Sequence, residues 1–309
     1  MRKHIVWISI VLILGLYVFI SAVAGITKEA KAFELPNINK KVALINIYGE
    51  IYDSTYVLRL LNKFSDMKSV KAIVLRINSP GGSPGASQEI YRQIIKTQEK
   101  GIKVVVSMAD AGASGAYYIA LPADKIYANP ATLTGSIGVY LSFVSAEGLL
   151  EKIGVKFHTV KSGRYKNSGT FSREPTKKEI KLFGSLIRDV HDQFVGDVAE
   201  SRYKQIAAAA GIKAKDDEKK KTAVKEYLTD NLADGRVLTG RQAKKAGLVD
   251  ALGNIDDAIE AAAGMVGISG RPRVVTERQK MSFVEWIDSK LNDLGLSGKS
   301  GPAVKYLMK

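Results

Sequence analysis

Ser114 lies among small residues in the segment "DAGASGAYYIA", residues 110–120, between an apolar strand-like run and an apparent helix. At that place the N–H groups and the positive dipole end of the helix would stabilise the charge of a tetrahedral intermediate. Serine is also a favoured N-cap residue, and N-caps far outnumber nucleophiles. The segment alone therefore leaves two interpretations open, a catalytic nucleophile or a residue that only caps a helix.

A nucleophilic serine needs a base, and the histidines offer little choice. The chain has three, His4, His158 and His191, and His4 precedes a long apolar segment. The other two lie in the strand-like "KFHTV" and in an amphipathic helix, and each is predicted to be packed or solvated rather than catalytic. A lysine can act as the base where an apolar site keeps its amine neutral. Lys166, in the glycine-bracketed loop "KSGRYKNSGT", is a candidate, although most lysines are solvated surface charges.

A glycine pair follows the second strand-like run in "NSPGGSPG", residues 78–85. Gly81 and Gly82 would let the backbone turn with positive φ and present N–H groups at the carboxyl end of a parallel sheet, where ligands of such folds bind. A tight turn would use the same residues, so both interpretations remain. No Gly-Lys-Ser/Thr follows, which disfavours nucleoside triphosphate binding.

The elements that must position these residues alternate regularly. Strand-like runs begin near residues 41, 71 and 103 with amphipathic helices between them, a spacing typical of βαβ units. The runs are almost continuously apolar, which predicts an α/β fold whose sheet is covered on both faces. Further strands are predicted at 125–130 and 156–160, and helices at 175–203, 239–253 and 254–267. We expect one domain over residues 41–270, with a tail at 271–309.

The amino terminus predicts a membrane anchor. Residues 5–26 carry no charge, and about 20 apolar residues span a bilayer as a helix. Residues 1–4 would form a cytoplasmic tip and residues 27–40 a linker. The alternative is a cleaved signal peptide, because "AVA" at 22–24 fits a cleavage site, but the apolar run exceeds a typical signal-peptide core. Lysines on both sides leave the orientation open.

Composition narrows the function classes further. The chain has no cysteine, which excludes disulfides, zinc–thiolate sites and a cysteine nucleophile. Its net charge of +15 would suit nucleic acid or an anionic membrane, but no base-reading motif occurs. Part of the charge lies in the polar run at 213–226, predicted to be a solvated helix face or loop. We therefore expect no nucleic-acid partner, no metal and no cofactor.

Four spaced motifs resemble signal peptide peptidase A in its short, single-repeat form. They are "NSPGG", "GASGAYYIALPADKIYANPATLTGSIGV", "SGRYKNSGT" and "DGRVLTGRQAKKAGLVDALG", and the resemblance spans about residues 41–263. It implies a Clp protease/crotonase-like fold and a serine–lysine dyad of Ser114 and Lys166, assisted by Ser136. It also implies an oxyanion hole formed by Gly115 and the Gly81–Gly82 turn, without saying which glycine of the pair donates.

The resemblance implies a membrane-anchored peptidase that cleaves remnant signal peptides and other apolar peptides outside the cytoplasm. It also implies a homo-oligomeric ring whose neighbouring protomers complete each site. Two alternatives stay open from the residues alone. A crotonase-like acyl-CoA enzyme could use the same oxyanion turns, and a non-catalytic membrane scaffold could carry a dead site.

Overall fold

The computed structural model describes Gly15, residues 40–277 and the strand Val304–Leu307. The predicted tip, most of the predicted anchor and nearly all of the linker lie outside these residues. Among the helices of these described residues, none combines the length and the apolar character needed to cross a bilayer.

A mostly parallel sheet forms the centre of the molecule. Its main path runs in the order β10-β1-β2-β4-β5-β9, and every neighbouring pair along that path is parallel. The strands are β1 (Lys41–Tyr48), β2 (Val70–Ser79), β4 (Lys103–Ala113), β5 (Lys125–Ala128), β9 (Ala251–Leu252) and β10 (Arg273–Thr276). The predicted α/β class is confirmed, as are the strands that begin near residues 41, 71 and 103.

Helices cover both faces of this sheet, which explains its continuously apolar strands. In β2, Ile73 and Leu75 pack in the larger core with α1 (Thr55–Asp66) and α2 (Pro84–Glu99). Val74, between them, points to the other face and packs against α8 (Ile255–Met265). All three side chains are fully buried. Alternate residues of a strand face opposite sides, so a strand covered on both sides has no polar face.

The remaining helices are α3 (Gly115–Ala120), α4 (Glu147–Lys152), α5 (Lys177–Ala210), α6 (Asp217–Asn231) and α7 (Gly240–Lys245). A capping box of Thr176 and Glu179 begins α5, and Gly211 ends it with φ +70°. This helix runs beyond the predicted 175–203, because the alanines before Gly211 continue it. The polar run at 213–226 lies mostly in α6, which buries only Val224 and Leu228.

Two sequence predictions are wrong. Residues 156–160, predicted as a strand, have no regular secondary structure and are exposed, because no neighbouring strand pairs with them. The helix predicted over 239–253 is only the short α7, between β8 (Val237–Thr239) and β9. The whole segment 138–178 contains no buried residue, and we call it the open lobe.

A small second sheet contains the carboxy-terminal strand. Strand β11 (Val304–Leu307) lies between β3 (Gly81–Gly82) and β7 (Tyr140–Leu141) and is antiparallel to both. Tyr306 pairs with Gly82, and Lys305 pairs with Tyr140. Strand β11 therefore runs alongside the glycine pair of the motif "NSPGG".

Candidate active site

Ser114 lies in a strained turn between β4 and α3. Its φ is +56° and its ψ is −122°, and within the described residues Ser136 is the other non-glycine residue with a positive φ. The Ser114 N–H donates to the Gly135 carbonyl at 2.8 Å, and the Ser114 carbonyl accepts from the Tyr118 N–H at 2.9 Å. Backbone strain of this kind persists only where the surroundings hold it, and it clusters at active sites.

The Ser114 hydroxyl is buried but unused within this chain. Ser114 is 1% exposed, and its Oγ has no hydrogen-bond partner among the described residues. Ser114 occupies the N-cap position of α3, yet its side chain makes no capping hydrogen bond. A buried hydroxyl left unpaired costs about 1–3 kcal/mol. The helix-capping interpretation therefore does not account for this serine, whose Oγ keeps its hydrogen-bonding capacity unused.

The glycine pair follows β2, the strand next to the β4 strand that leads to Ser114. Ser79, at the end of β2, pairs with Gly112 near the end of β4, so the carboxyl ends of these strands are adjacent. Gly81 needs its freedom, because its φ is +111°. Gly82 allows a close approach, because a Cβ there would lie 2.1 Å from the Ile51 carbonyl oxygen. No other residue type fits either position without a shift of the backbone.

Hydrogen bonds show that the backbone groups of Gly81 and Gly82 point in different directions. The Gly81 carbonyl accepts from the Ile51 N–H at 2.8 Å, and the Ser83 N–H donates to the Ile51 carbonyl at 2.7 Å. The N–H and C=O of Gly82 therefore point away from Ile51, toward β11. The Gly81 N–H is already engaged, since it donates to the Ser79 Oγ at 3.1 Å.

Ser136 follows β6 (Leu133–Gly135), which is parallel to the end of β4 and antiparallel to β8. Its φ is +51°, and it is 5% exposed. The preceding residue, Gly135, accepts the Ser114 N–H, while the Ser136 N–H donates to the Arg236 carbonyl at 2.9 Å. The structure thus brings together Ser114, Ser136, Gly115 and the glycine pair at one edge of the sheet.

Lys166 is not joined to this group within the chain. It lies exposed in a loop of the open lobe, where its N–H donates to the Gly163 carbonyl. The loop is fastened by the Lys161 Nζ, which bonds the Asn167 Oδ1 at 2.6 Å and the Arg164 carbonyl at 3.1 Å. Since the Ser114 Oγ has no partner among the described residues, no serine–lysine hydrogen bond forms inside one protomer.

Of the two remaining histidines, one lies where the sequence predicts it and the other does not. His158 lies in the exposed stretch of the open lobe, not in a strand. His191 lies in α5, where its Nε2 is 2.8 Å from the Ala233 carbonyl oxygen and therefore carries the proton. Neither is bonded to the Ser114 Oγ.

Comparison with known proteins supplies the family. The model of Peptidase family S49 matches residues 96–227 and 217–269. The chain belongs to peptidase family S49. This S49 peptidase is 42% identical over 231 residues to the Synechocystis sp. protein slr0021, covering 74% of this chain and 76% of that one. It is 32% identical over 215 residues to "Serine protease SPPA, chloroplastic" of Arabidopsis thaliana, covering 69% of this chain and 29% of that one.

The resemblance to signal peptide peptidase A is thereby confirmed, and the S49 peptidase is a serine peptidase. Among solved structures it is similar to a Listeria monocytogenes ClpP1 mutant, with 19% identity and a TM-score of 0.44. That match covers 70% of this chain and 94% of the other.

Three further residues at the site of the S49 peptidase were not predicted from the sequence. Ser79 fixes Gly81, and the Asn78 Oδ1 accepts the Ala111 N–H at 3.0 Å, which ties the ends of β2 and β4 together. Asp234 organises the turn that bonds Ser136. The first two belong to the quoted motif "NSPGG" and the third to "DGRVLTG". Polar residues inside a glycine-containing motif were the signal that could have identified them.

Proposed function

We propose that this S49 peptidase cleaves peptides with Ser114 as the nucleophile and with Lys166 of a neighbouring copy as the general base. The observation that carries the proposal is the Ser114 hydroxyl, which is buried in a strained turn with no partner from the described part of its own chain. Under this proposal, Lys166 of a second copy of the chain is that partner. It also gives a role to the exposed loop that carries Lys166.

The chemistry follows from these roles. The neutral Lys166 amine takes the Ser114 proton while the Oγ forms a bond to the peptide carbonyl carbon. Collapse of the tetrahedral intermediate breaks the C–N bond, and the Lys166 ammonium protonates the leaving amine. Water, deprotonated by the same lysine, then hydrolyses the ester and releases Ser114. Ser136 holds the lysine amine by a hydrogen bond.

The oxyanion of the intermediate would be held by two backbone donors, Gly82 and Gly115. We choose Gly82 over Gly81 because the Gly81 N–H already donates to Ser79, whereas the Gly82 N–H faces the side of β11. Each such donor contributes about 3 kcal/mol in comparable sites. Strand β11 also suggests how a substrate lies, as an extended segment antiparallel to the glycine pair.

The open lobe supports the shared site. Its exposed apolar side chains include Phe157, 53% exposed, and Val160, fully exposed. Phe157 also contacts Phe171, itself 51% exposed, and contiguous apolar patches mark surfaces that other molecules cover. A second copy of this chain covering the lobe would also supply an apolar surrounding for Lys166, which favours the neutral amine.

We extend the proposal to the place of action. Residues 5–26 would anchor the peptidase in the cell membrane with residues 27–309 outside the cytoplasm, and the substrates would be remnant signal peptides. The support is the uncharged length of that segment. Protease added to intact protoplasts should digest the large domain. Digestion only after lysis would contradict this orientation.

Complementation tests the shared dyad. Ser114→Ala and Lys166→Ala proteins should each be inactive, and their co-expression should restore part of the activity, because some interfaces then pair an intact serine with an intact lysine. Two different affinity tags establish that mixed oligomers form. Mixed oligomers as inactive as either parent would show that each dyad lies within one chain.

A further inference from the structure

The turn Asp234–Gly235–Arg236, which we call the DGR turn, bonds to the backbone at Ser136, one of the two strained serines of the site. The Ser136 N–H donates to the Arg236 carbonyl at 2.9 Å, and the next carbonyl, of Ile137, accepts from the Gly235 N–H at 3.0 Å. A Cβ on Gly138 would lie 2.9 Å from the Gly235 Cα. The turn therefore contacts three successive residues, beginning at Ser136.

Ser136 needs such support. A serine with φ +51° is in a region that non-glycine residues rarely occupy, and the surroundings must make up for the strain. The side before Ser136 is held by the antiparallel pairing of β6 with β8, in which Gly135 lies opposite Val237. The side after it is held by the DGR turn. Both restraints come from the same continuous segment, residues 234–239.

The shape of the DGR turn depends on Asp234. The Asp234 Oδ1 accepts the Arg236 N–H at 3.0 Å, an Asx-turn, and both carboxylate oxygens bond the Arg236 guanidinium. Gly235 supplies the φ of +86° that the turn requires. The side chains of Asp234 and Arg236 are half exposed, so their ion pair adds little stability by itself. Their arrangement serves the backbone geometry of the turn.

Two helices fasten the turn from behind. The Ala233 N–H donates to the Leu228 carbonyl at 2.7 Å, at the end of α6. The His191 Nε2 on α5 donates to the Ala233 carbonyl at 2.8 Å. The residue before the turn thus has both backbone groups bonded to rigid helices, and the turn has a fixed base.

We propose that Asp234 is a positioning residue for peptide cleavage, which acts through the DGR turn to aim the Ser136 hydroxyl. This rests on the proposed role of Ser136 in holding the lysine. The Asp234 carboxylate bonds to Arg236 of the same turn, so it acts through the backbone of that turn. It sets the geometry of the serine that orients the base.

The test is a double-mutant cycle on the full-length protein. Asp234→Ala should lower kcat on the order of tenfold to a hundredfold with KM nearly unchanged, as expected for a misplaced catalytic group. Asp234→Asn, which keeps the Oδ1 acceptor but not the charge, should recover most of the rate. In a Ser136→Ala background, Asp234→Ala should cause little further loss, because the group that it positions is already gone.

Asp216→Ala is the matched control. Asp216 caps the other end of α6 by accepting the Lys219 N–H at 2.8 Å, so its removal disturbs the same helix without touching the DGR turn. It should leave kcat unchanged. Multiplicative losses in the Asp234→Ala/Ser136→Ala protein, or equal losses in Asp234→Ala and Asp216→Ala, would overturn the inference.

A fluorophosphonate probe of Ser114 separates this inference from the proposed function. If the wild-type protein is not labelled while Ser114→Ala is equally silent, the proposed nucleophile fails. If the wild type is labelled and cleaves peptide, but Asp234→Ala does so at the same kcat, only the positioning role fails.

Discussion

Lys166 is the residue whose assignment depends most on a second copy of the chain. We expect Lys166→Ala to abolish peptide cleavage while the fold is retained, because no other group is proposed to accept the Ser114 proton. Lys156→Ala, an exposed lysine of the same lobe, should keep full activity, as should His158→Ala. Peptide turnover and circular dichroism measure the two effects. An active Lys166→Ala protein would assign the base elsewhere.

Gly82 offers a sharp contrast with a nearby glycine. In Gly82→Ala the new Cβ would lie 2.1 Å from the Ile51 carbonyl oxygen, so the pairing with Ile51 must break. We expect loss of cleavage by a factor of about a hundred or more, since the proposed oxyanion donor moves.

Gly85→Ala is the control for that substitution. Gly85 lies in the first turn of α2 with nothing within 4 Å of its Cβ position, so alanine should raise the unfolding free energy by about 0.5–1 kcal/mol. Cleavage should be unchanged. Equal activity of Gly82→Ala and Gly85→Ala would remove Gly82 from the site.

The residues of the site differ in how far the sequence alone predicts them. Ser114, Ser136 and the glycine pair lie in short motifs at strand ends, and the parallel sheet brings such ends together. Lys166 has no such constraint, because the open lobe has no core of its own. Asp234 was missed because its role depends on pairing between β6 and β8, about 100 residues apart.

Among the elements, strand β11 occupies the place that we propose for the substrate. Its Tyr306 pairs with Gly82, one of the two proposed oxyanion donors. Tyr306→Pro removes a backbone N–H from this ladder without shortening the chain, and proline is poorly tolerated in paired strands. We expect faster cleavage of added peptides and faster labelling of Ser114.

The control for this change is Lys309→Pro, which lies beyond the strand. It should leave both rates as in the wild type. Slower cleavage in Tyr306→Pro would indicate that β11 supports the site and does not compete with substrate.

Helix α5 is docked by a buried arginine. Arg202 is 1% exposed, and its guanidinium bonds both oxygens of Asp250 and the Gly247 carbonyl. Arg202→Ala leaves the Asp250 carboxylate without its ion-pair partner and should cost about 3–5 kcal/mol of unfolding free energy. Chemical denaturation measures this loss.

An exposed pair of the same helix is the control. Glu200 bonds Lys221 at 2.8 Å on the surface between α5 and α6. Glu200→Ala should leave the denaturation midpoint unchanged, because exposed pairs contribute little. If the two variants were equally stable, the buried pair would not be what docks α5.

The strands also show which secondary structure the sequence patterns could predict and which they could not. The strands of the central sheet were predictable from their apolar runs, since burial on both faces leaves no polar positions. The segment "KFHTV" at 156–160 has a similar apolar pattern. No described strand pairs with it, and so it forms no regular secondary structure. Strand β11 could not be predicted from the local sequence, because it forms by pairing with β3, more than 200 residues away.

For the whole molecule, the open lobe predicts that assembly and activity are lost together. Val160 is fully exposed in one protomer, so Val160→Asp should leave the circular dichroism spectrum unchanged. If a neighbouring copy covers the lobe, the buried charge should prevent assembly and abolish cleavage. Sedimentation velocity and peptide turnover measure both.

Leu252→Asp is the control, since Leu252 is also exposed, at 41%, but lies on β9, outside the lobe. It should assemble and cleave normally. Full activity in a monomeric Val160→Asp protein would contradict the shared site.

The open lobe has a consequence for how the cleavage rate depends on the enzyme concentration. If the base of each site comes from another copy, the initial rate rises more steeply than the first power of enzyme concentration below the dissociation constant of the assembly. Dilution would then switch the peptidase off without unfolding it. Newly made copies would stay inert until enough of them met.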